Sequence, residues 1–221
     1  MADFAIESRL WAEGFGRIAG VDEAGRGPLA GPVVVAAVML GQGWDEPVLL
    51  EDSKRLTEEQ REAAFPAIRG RALAWRVAVV PPETIDRINI LQATLQGMAQ
   101  AVKRLNPPPQ YVLVDGNRWP EMTVPGEAIV RGDARSCTIA AASIVAKVVR
   151  DRLMRVYGRR YPQWGFERHK GYGTAAHRKA MERHGLSPIH RRSFRVKGLP
   201  WPAKANWEAG ARQLPLATWS A

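Results

Sequence analysis

Cysteine is nearly absent. Cys137 stands alone among 221 residues, so no internal disulfide can form and no paired thiolates are available for a structural zinc site. Such a chain suits a reducing compartment, and the cytoplasm is the expected location. Long apolar runs are missing too: the longest, 32–40, is far too short to cross a bilayer. Nor does the N-terminus carry a basic patch followed by an apolar core. Asp3 and Glu7 precede Arg9, which does not read as a secretory signal. Histidine is scarce, with 4 residues, and none shows the His-Glu-x-x-His spacing of a zinc hydrolase.

What is present suffices for one core. With 46% hydrophobic and 24% charged residues, a disordered tail or a collagen-like rod is excluded. One domain is expected over 1–197, followed by an irregular tail rich in Pro and Trp over 198–221. Charge is unevenly spread. Residues 131–197 hold 17 basic and 4 acidic residues and all 4 histidines, whereas the rest of the chain holds 15 basic and 18 acidic residues. That asymmetry points to a cationic face and a polyanionic partner. Charge alone also fits a solvated, Arg-rich helical surface.

Periodicity predicts helices over 6–11, 58–68, 88–105, 138–154 and 174–184, and strands over 18–21, 33–40, 73–80, 111–114 and 128–130. Thr57 and Gln60 have capping-box spacing, and Gly185 reads as a helix stop. The first two strands should lie mid-sheet, and the small residues Ala140, Ala141, Ala142 and Ser143 should let their helix approach the sheet closely. The class is α/β, a mixed sheet with helices on its faces.

Acids sit at strand ends. Asp22 and Glu23 follow the strand 18–21, Asp115 follows 111–114, and Asp133 lies 18 residues further on, just before the small-residue helix. If the two strands are neighbours the carboxylates converge, which is tolerable mainly when a cation fills the gap. A donor set of oxygens alone selects a hard ion, Mg²⁺ or Mn²⁺. Because consecutive strand residues face opposite sides, Glu23 joins Asp22 only if the strand breaks there or its main-chain oxygen serves. Each acid taken singly also fits a turn beside Gly25 or Gly116.

Further residues have simpler readings. Asp151 fits an intrahelical ion pair with Lys147 and Arg155, four residues to either side. His177 and His184 fit a helix surface, and Cys137 a small packing residue.

The run from Gly20 through Val21-Asp22-Glu23-Ala24-Gly25-Arg26-Gly27-Pro28 to Pro32 resembles the ribonuclease HII family. So do Asp52-Ser53-Lys54, Val114-Asp115-Gly116, Ser143 to Lys147 with Arg150-Asp151, His169 to Thr174, and His190 to Phe194. The similarity spans about 18–194. It implies an RNase H-like mixed sheet flanked by helices, with a helical C-terminal extension. The implied activity is endonucleolytic cleavage of the RNA strand of RNA–DNA hybrids, including a single ribonucleotide embedded in duplex DNA. Asp22, Glu23, Asp115 and Asp133 match the family's metal-binding acids, implying two Mg²⁺ or Mn²⁺ ions with substrate bound. Gly25-Arg26-Gly27 matches its ribonucleotide-reading tripeptide. Tyr172 matches the tyrosine that packs on the following deoxyribose. Lys54, Lys147, Lys170, Arg191 and Arg192 are phosphate candidates. Gln213-Leu214-Pro215-Leu216 resembles peptides that dock on sliding clamps, although the usual following Phe is replaced by Ala217 and Thr218. No membrane partner is implied, and a monomer is expected. The rival functions are a non-catalytic hybrid binder, an integrase-like DNA nuclease, and metal-free RNA cleavage by two histidines.

Overall fold

The computed structural model describes residues 2–45 and 50–198. The Pro- and Trp-rich tail, with its Gln213-to-Leu216 peptide, lies outside the described residues. Along the chain run α1 (Ala5–Ala12), β1 (Ile18–Ala24), β2 (Val33–Met39), α2 (Glu58–Arg71), β3 (Ala74–Val80), α3 (Pro82–Ile88) and α4 (Ile90–Lys103). They are followed by β4 (Tyr111–Asp115), β5 (Gly126–Ile129), α5 (Cys137–Arg160), α6 (Phe166–His169) and α7 (Ala175–His184). The strands form one mixed sheet in the order β3-β2-β1-β4-β5. β1 pairs antiparallel with β2 and parallel with β4.

The unbroken apolar run of β2 is explained by burial on both faces. Val34, Ala36 and Val38 pack under α5 and α2, while Val35, Ala37 and Met39 pack against α4. α5 lies close upon β1, because Gly20 leaves no room there: a Cβ at Gly20 would strike the backbone of Thr138 and Ile139. The small residues 140–142 continue that contact along the core. α1 secures the start of α5. The buried Glu7 carboxylate accepts from the Ser136 hydroxyl at 2.6 Å and from the Thr138 amide at 2.9 Å, so an orphan donor of the α5 N-terminus is satisfied. At α2 the capping box forms, with Gln60 N donating to Thr57 Oγ1 at 3.2 Å and Thr57 N donating to Gln60 Oε1 at 2.8 Å.

One expected element starts late, and another helix precedes it. The helix over 88–105 is found as α4, and the separate helix α3, which the periodicity does not predict, precedes it; Asn89, at a φ of 67°, stands between the two. Asn tolerates that left-handed backbone, and its side chain accepts from Gln92 N at 3.0 Å as the cap of α4. α5 runs on to Arg160, beyond its expected end, because Arg152 and Arg155 bond Glu62 and Glu58 on α2 and hold the additional turns. Among the described residues no helix is long and apolar enough to cross a membrane.

Candidate active site

The parallel pairing of β1 with β4 decides where the acids go. Gly20 stands opposite Leu113 and Val21 opposite Val114, so Asp22 and Asp115 come next, side by side at the same end of the sheet. Alternation along the strands turns both toward α5. Asp115 Oδ1 accepts from Gly132 N at 2.6 Å, which draws in the short 3₁₀ turn Gly132–Ala134 carrying Asp133. Arg131 enters that turn at a φ of 55°. The three aspartates therefore come from two strand tips and one turn, across 112 positions of sequence.

β1 does not break at Glu23. Pairing with β2 continues through Glu23 opposite Val35 and Ala24 opposite Val34, so the Glu23 side chain faces away from Asp22. Its carboxylate meets Arg26, with Nη1 at 3.5 Å from Oε1. Its charge nonetheless reaches Asp22 and Asp115, so the carboxylate stays part of the acid cluster while the main-chain oxygen lies on the Asp22 side.

Electrostatics tie the acids together. Burial, then the charges of Glu23 and Asp115, raise Asp22 well above the usual carboxylate range, against the lowering effect of a hydrogen bond from Ser143. Glu23 is raised by burial and Asp115, with Arg26 opposing. Asp133 is pushed up to about 6 by burial, Asp115 and Asp52. Burial opposes the charge of Lys54, yet Asp22, Asp52, Asp133 and Asp115 outweigh it and leave its ammonium more firmly protonated than usual. Lys54 is thus held as a cation facing this cluster.

A hard divalent cation suits this donor set, which is all oxygen and strained by like charge. Asp22, Asp115, Asp133 and Glu23, through its carboxylate or its main-chain oxygen, would hold it. Among the described residues, no three carboxylate, imidazole or thiol groups already stand in an arrangement that could hold an ion. The charge of Asp115 reaches and raises Asp22, Glu23 and Asp133, and a cation would remove that repulsion.

The second half of the site is a loop. Gly25 adopts φ 97°, and a Cβ there would collide with the Arg150 side chain, so only glycine fits. A Cβ on Gly27 would lie 3.8 Å from the Tyr172 ring, which places the tripeptide Gly25-Arg26-Gly27 next to Tyr172. That ring is 46% exposed. The two segments are also joined through Leu29 N, which donates to Gly171 O at 2.9 Å.

The phosphate candidates fare unequally. Arg191 is fully buried, and its guanidinium donates to Gly31 O at 2.9 Å, Arg26 O at 2.8 Å and Gly25 O. It braces the tripeptide from beneath and is not directed at a phosphate. Lys147 donates to both Asp151 oxygens at 2.7 Å, forming the expected ion pair. Arg155 does not join that pair, since it is engaged with Glu58 and Glu62 on α2. Lys170 turns its ammonium to Glu167 O at 2.7 Å. Arg192 is anchored by its amide to Asp86 at 2.9 Å.

His177 is fully buried on the inner side of α7 and bonded to His190, which corrects its assignment to a helix surface. Helical spacing shows which residues share a face but not which face another element covers. Cys137 fits its packing role, with burial pushing its thiol up to about 12. Three further residues belong to the site although the motifs give them no task. Ser143 lowers the pKa of Asp22, and its hydroxyl donates to the Ser53 hydroxyl at 2.8 Å. The buried Arg150 donates to Pro32 O at 3.1 Å, Lys170 O at 3.0 Å and Ala30 O at 3.2 Å, linking the glycine loop to the Tyr172 segment. The signal for Arg150 was its place on the face of α5 shared with Ser143 and Lys147.

Comparison with known proteins agrees with this arrangement. The family model described as ribonuclease HII matches residues 19–197. A ribonuclease HII from Chlorobium phaeobacteroides is 52% identical over 199 residues, covering 87% of this chain and 96% of that one. Among solved structures, the ribonuclease H2 of Pyrococcus horikoshii superposes with a TM-score of 0.68 at 29% identity, over 80% of this chain and 93% of that one. The RNase HII in a complex with PCNA from Archaeoglobus fulgidus gives 0.68 at 25% identity, over 82% and 96%. With its acids gathered at the tips of a parallel strand pair beside a glycine loop, this chain belongs to the ribonuclease HII family and is a ribonuclease H hydrolase.

Proposed function

We propose that this ribonuclease H cuts the RNA strand of RNA–DNA hybrids and incises duplex DNA on the 5′ side of a single embedded ribonucleotide. Products would carry 5′-phosphate and 3′-hydroxyl ends. The observation that carries the reading is the register of β1 on β4, which sets Asp22 beside Asp115 within reach of Asp133 and of the Gly25-Arg26-Gly27 loop. Two Mg²⁺ or Mn²⁺ ions, when bound with substrate, supply an activated water and neutralise the departing 3′ oxygen. Asp22, Glu23, Asp115 and Asp133 would hold them. Lys54 faces the acids as the natural mate of the scissile phosphate, and Ser143 fixes the Asp22 carboxylate.

Selection of RNA requires a reader of the 2′-hydroxyl, since that group alone separates the two sugars. Gly25 and Gly27 let main-chain groups approach a ribose closely, and Tyr172 beside them offers a ring to the next sugar, favouring an RNA-to-DNA junction. Such chemistry needs no histidine. His177 and His190 are buried with their ring nitrogens occupied, which disfavours metal-free cleavage by two imidazoles. The partner is the nucleic acid duplex, bound by a monomer, and the lone buried thiol suits the cytoplasm.

A duplex containing one ribonucleotide, incubated with Mg²⁺, Mn²⁺ or EDTA, tests this. Incision on the 5′ side, metal-dependent and reduced about a thousandfold in Asp115→Asn, is expected. Cyclic phosphate ends, or equal turnover in EDTA, would refute it. A clamp contact through Gln213 to Leu216 is a further proposal, in line with the PCNA-bound relative. Truncation after Arg212 is expected to abolish clamp pull-down and spare hydrolysis, and unchanged pull-down would remove the proposal.

A further inference from the structure

Three imidazoles lie stacked beneath the segment that carries Tyr172. His169 and His177 have ring centroids 4.3 Å apart at 18°, His177 and His190 are 5.1 Å apart, and Phe166 packs against all three. They belong to three separate pieces of chain, α6, α7 and the turn after α7. None lines the acid cluster, and nothing in the hydrolytic chemistry requires them.

Their hydrogen bonds fix every proton. Ser187 N donates to His190 Nδ1 at 2.8 Å; a main-chain amide cannot accept, so that nitrogen is bare. Neutral His190 therefore carries its proton on Nε2, 3.0 Å from His177 Nε2, which must be bare in turn. His177 is left with its proton on Nδ1, donated to Tyr172 O at 3.0 Å. At His169 the order is the reverse: Gly171 N donates to Nδ1 at 3.2 Å, and Nε2–H donates to Trp164 O at 2.6 Å. His169 also accepts Tyr172 N at its main-chain oxygen at 2.9 Å. Burial holds His177 down to about 4 and His190 to about 3, so both are neutral near pH 7. The result is a one-way chain of donors running from the Ser187 amide through His190 and His177 to the Tyr172 carbonyl. Thr174 N, at 2.8 Å, is the other donor to that carbonyl.

The placement of these bonds is selective. They grip the main chain at 171 and 172 from below and leave the Tyr172 ring free above, close to Gly27. We propose that His177, oriented by His190 and assisted by His169, is a positioning residue that fixes the angle at which the Tyr172 ring meets the sugar following the ribonucleotide. This rests on the reading of Tyr172 as the junction-sensing residue. Loss of the relay leaves Thr174 N as the donor to the Tyr172 carbonyl and loosens the Tyr172 peptide, so the junction substrate suffers more than a continuous hybrid, where every sugar is alike.

The test uses the full chain and two substrates, a duplex with one ribonucleotide and an all-RNA strand on DNA. Removing the donor in His177→Phe is expected to lower kcat/KM on the junction substrate about tenfold while the long hybrid changes about twofold. His177→Asn, whose amide nitrogen can take the place of Nδ1–H, is expected to restore the ratio. Equal losses on both substrates, or no rescue by Asn, would reduce His177 to a packing residue. Tyr172→Ala separates the two levels. If it leaves the substrate ratio intact, the reading of Tyr172 falls and the relay with it; if it collapses the ratio while His177→Phe does not, only the relay falls. An independent readout needs no variant: ¹⁵N-detected imidazole spectra should show His177 as the Nδ1–H tautomer and His169 and His190 as Nε2–H. A His177 protonated at Nε2 would overturn the inference.

Discussion

The two halves of the site are built on opposite principles. At the strand tips and the adjoining turn, burial and like charges raise Asp22, Glu23 and Asp133, with Lys54 facing them as a cation. That half is left in repulsion until a cation arrives. A few residues along β1, the glycine loop is gripped by Arg191 and Arg150 through carbonyl after carbonyl, and the Tyr172 segment by imidazoles. This half is complete without any ligand. A catalytic centre for a charged reaction can leave its electrostatics unsatisfied because metal and phosphate complete them, whereas a reader of sugars must have its backbone fixed beforehand.

Opposite responses to substitution would sharpen the contrast. Asp22→Asn should cost about a thousandfold in turnover, as in Asp115→Asn, yet raise the metal-free melting temperature, because a buried charge and its repulsion are gone. A lower melting temperature by scanning calorimetry would show that the acids are not in repulsion. Arg191→Gln should act the other way. Several buried carbonyls lose their donor, so stability should fall by about 3 kcal/mol, equivalent to about 8 °C. Stability within error of the parent would show that the loop is not held by that arginine.

A smaller effect follows from pH. Asp133 is raised from about 3.9 in the unfolded chain to about 6 in the fold. Between those values the folded state binds more protons than the unfolded, so the metal-free protein loses stability as pH rises from about 4 to about 6. Since a cation needs the ionised acid, Mg²⁺ should raise the melting temperature at pH 7.5 and scarcely at pH 4.5, and turnover should decline as pH falls through about 6. Mg²⁺ stabilisation of equal size at both values would contradict the assignment of Asp133.

Much of the fold was legible because its signals are local. The all-apolar β2, the Thr57 to Gln60 capping box and the Gly185 stop each depend on a few adjacent residues, and all appear in the structure. The short helix α3 escaped because seven residues opening on Pro82 carry too little periodicity to register. The burial of His177 escaped for another reason: α7 is amphipathic, but which side the C-terminal turn covers depends on His190, 13 residues away.

The sequence by itself determined the residue types at the ends of the strands, the positions of the glycines, and the excess of positive charge in one segment. These are properties of neighbouring residues and survive without a fold. Only the tertiary structure decided that β1 and β4 run parallel and adjacent, that Glu23 turns away from Asp22, and that Arg191 faces inward to carbonyls instead of outward to phosphate. Register and burial arise from packing between segments far apart in the chain, and no local pattern of residues encodes which partner each segment will meet.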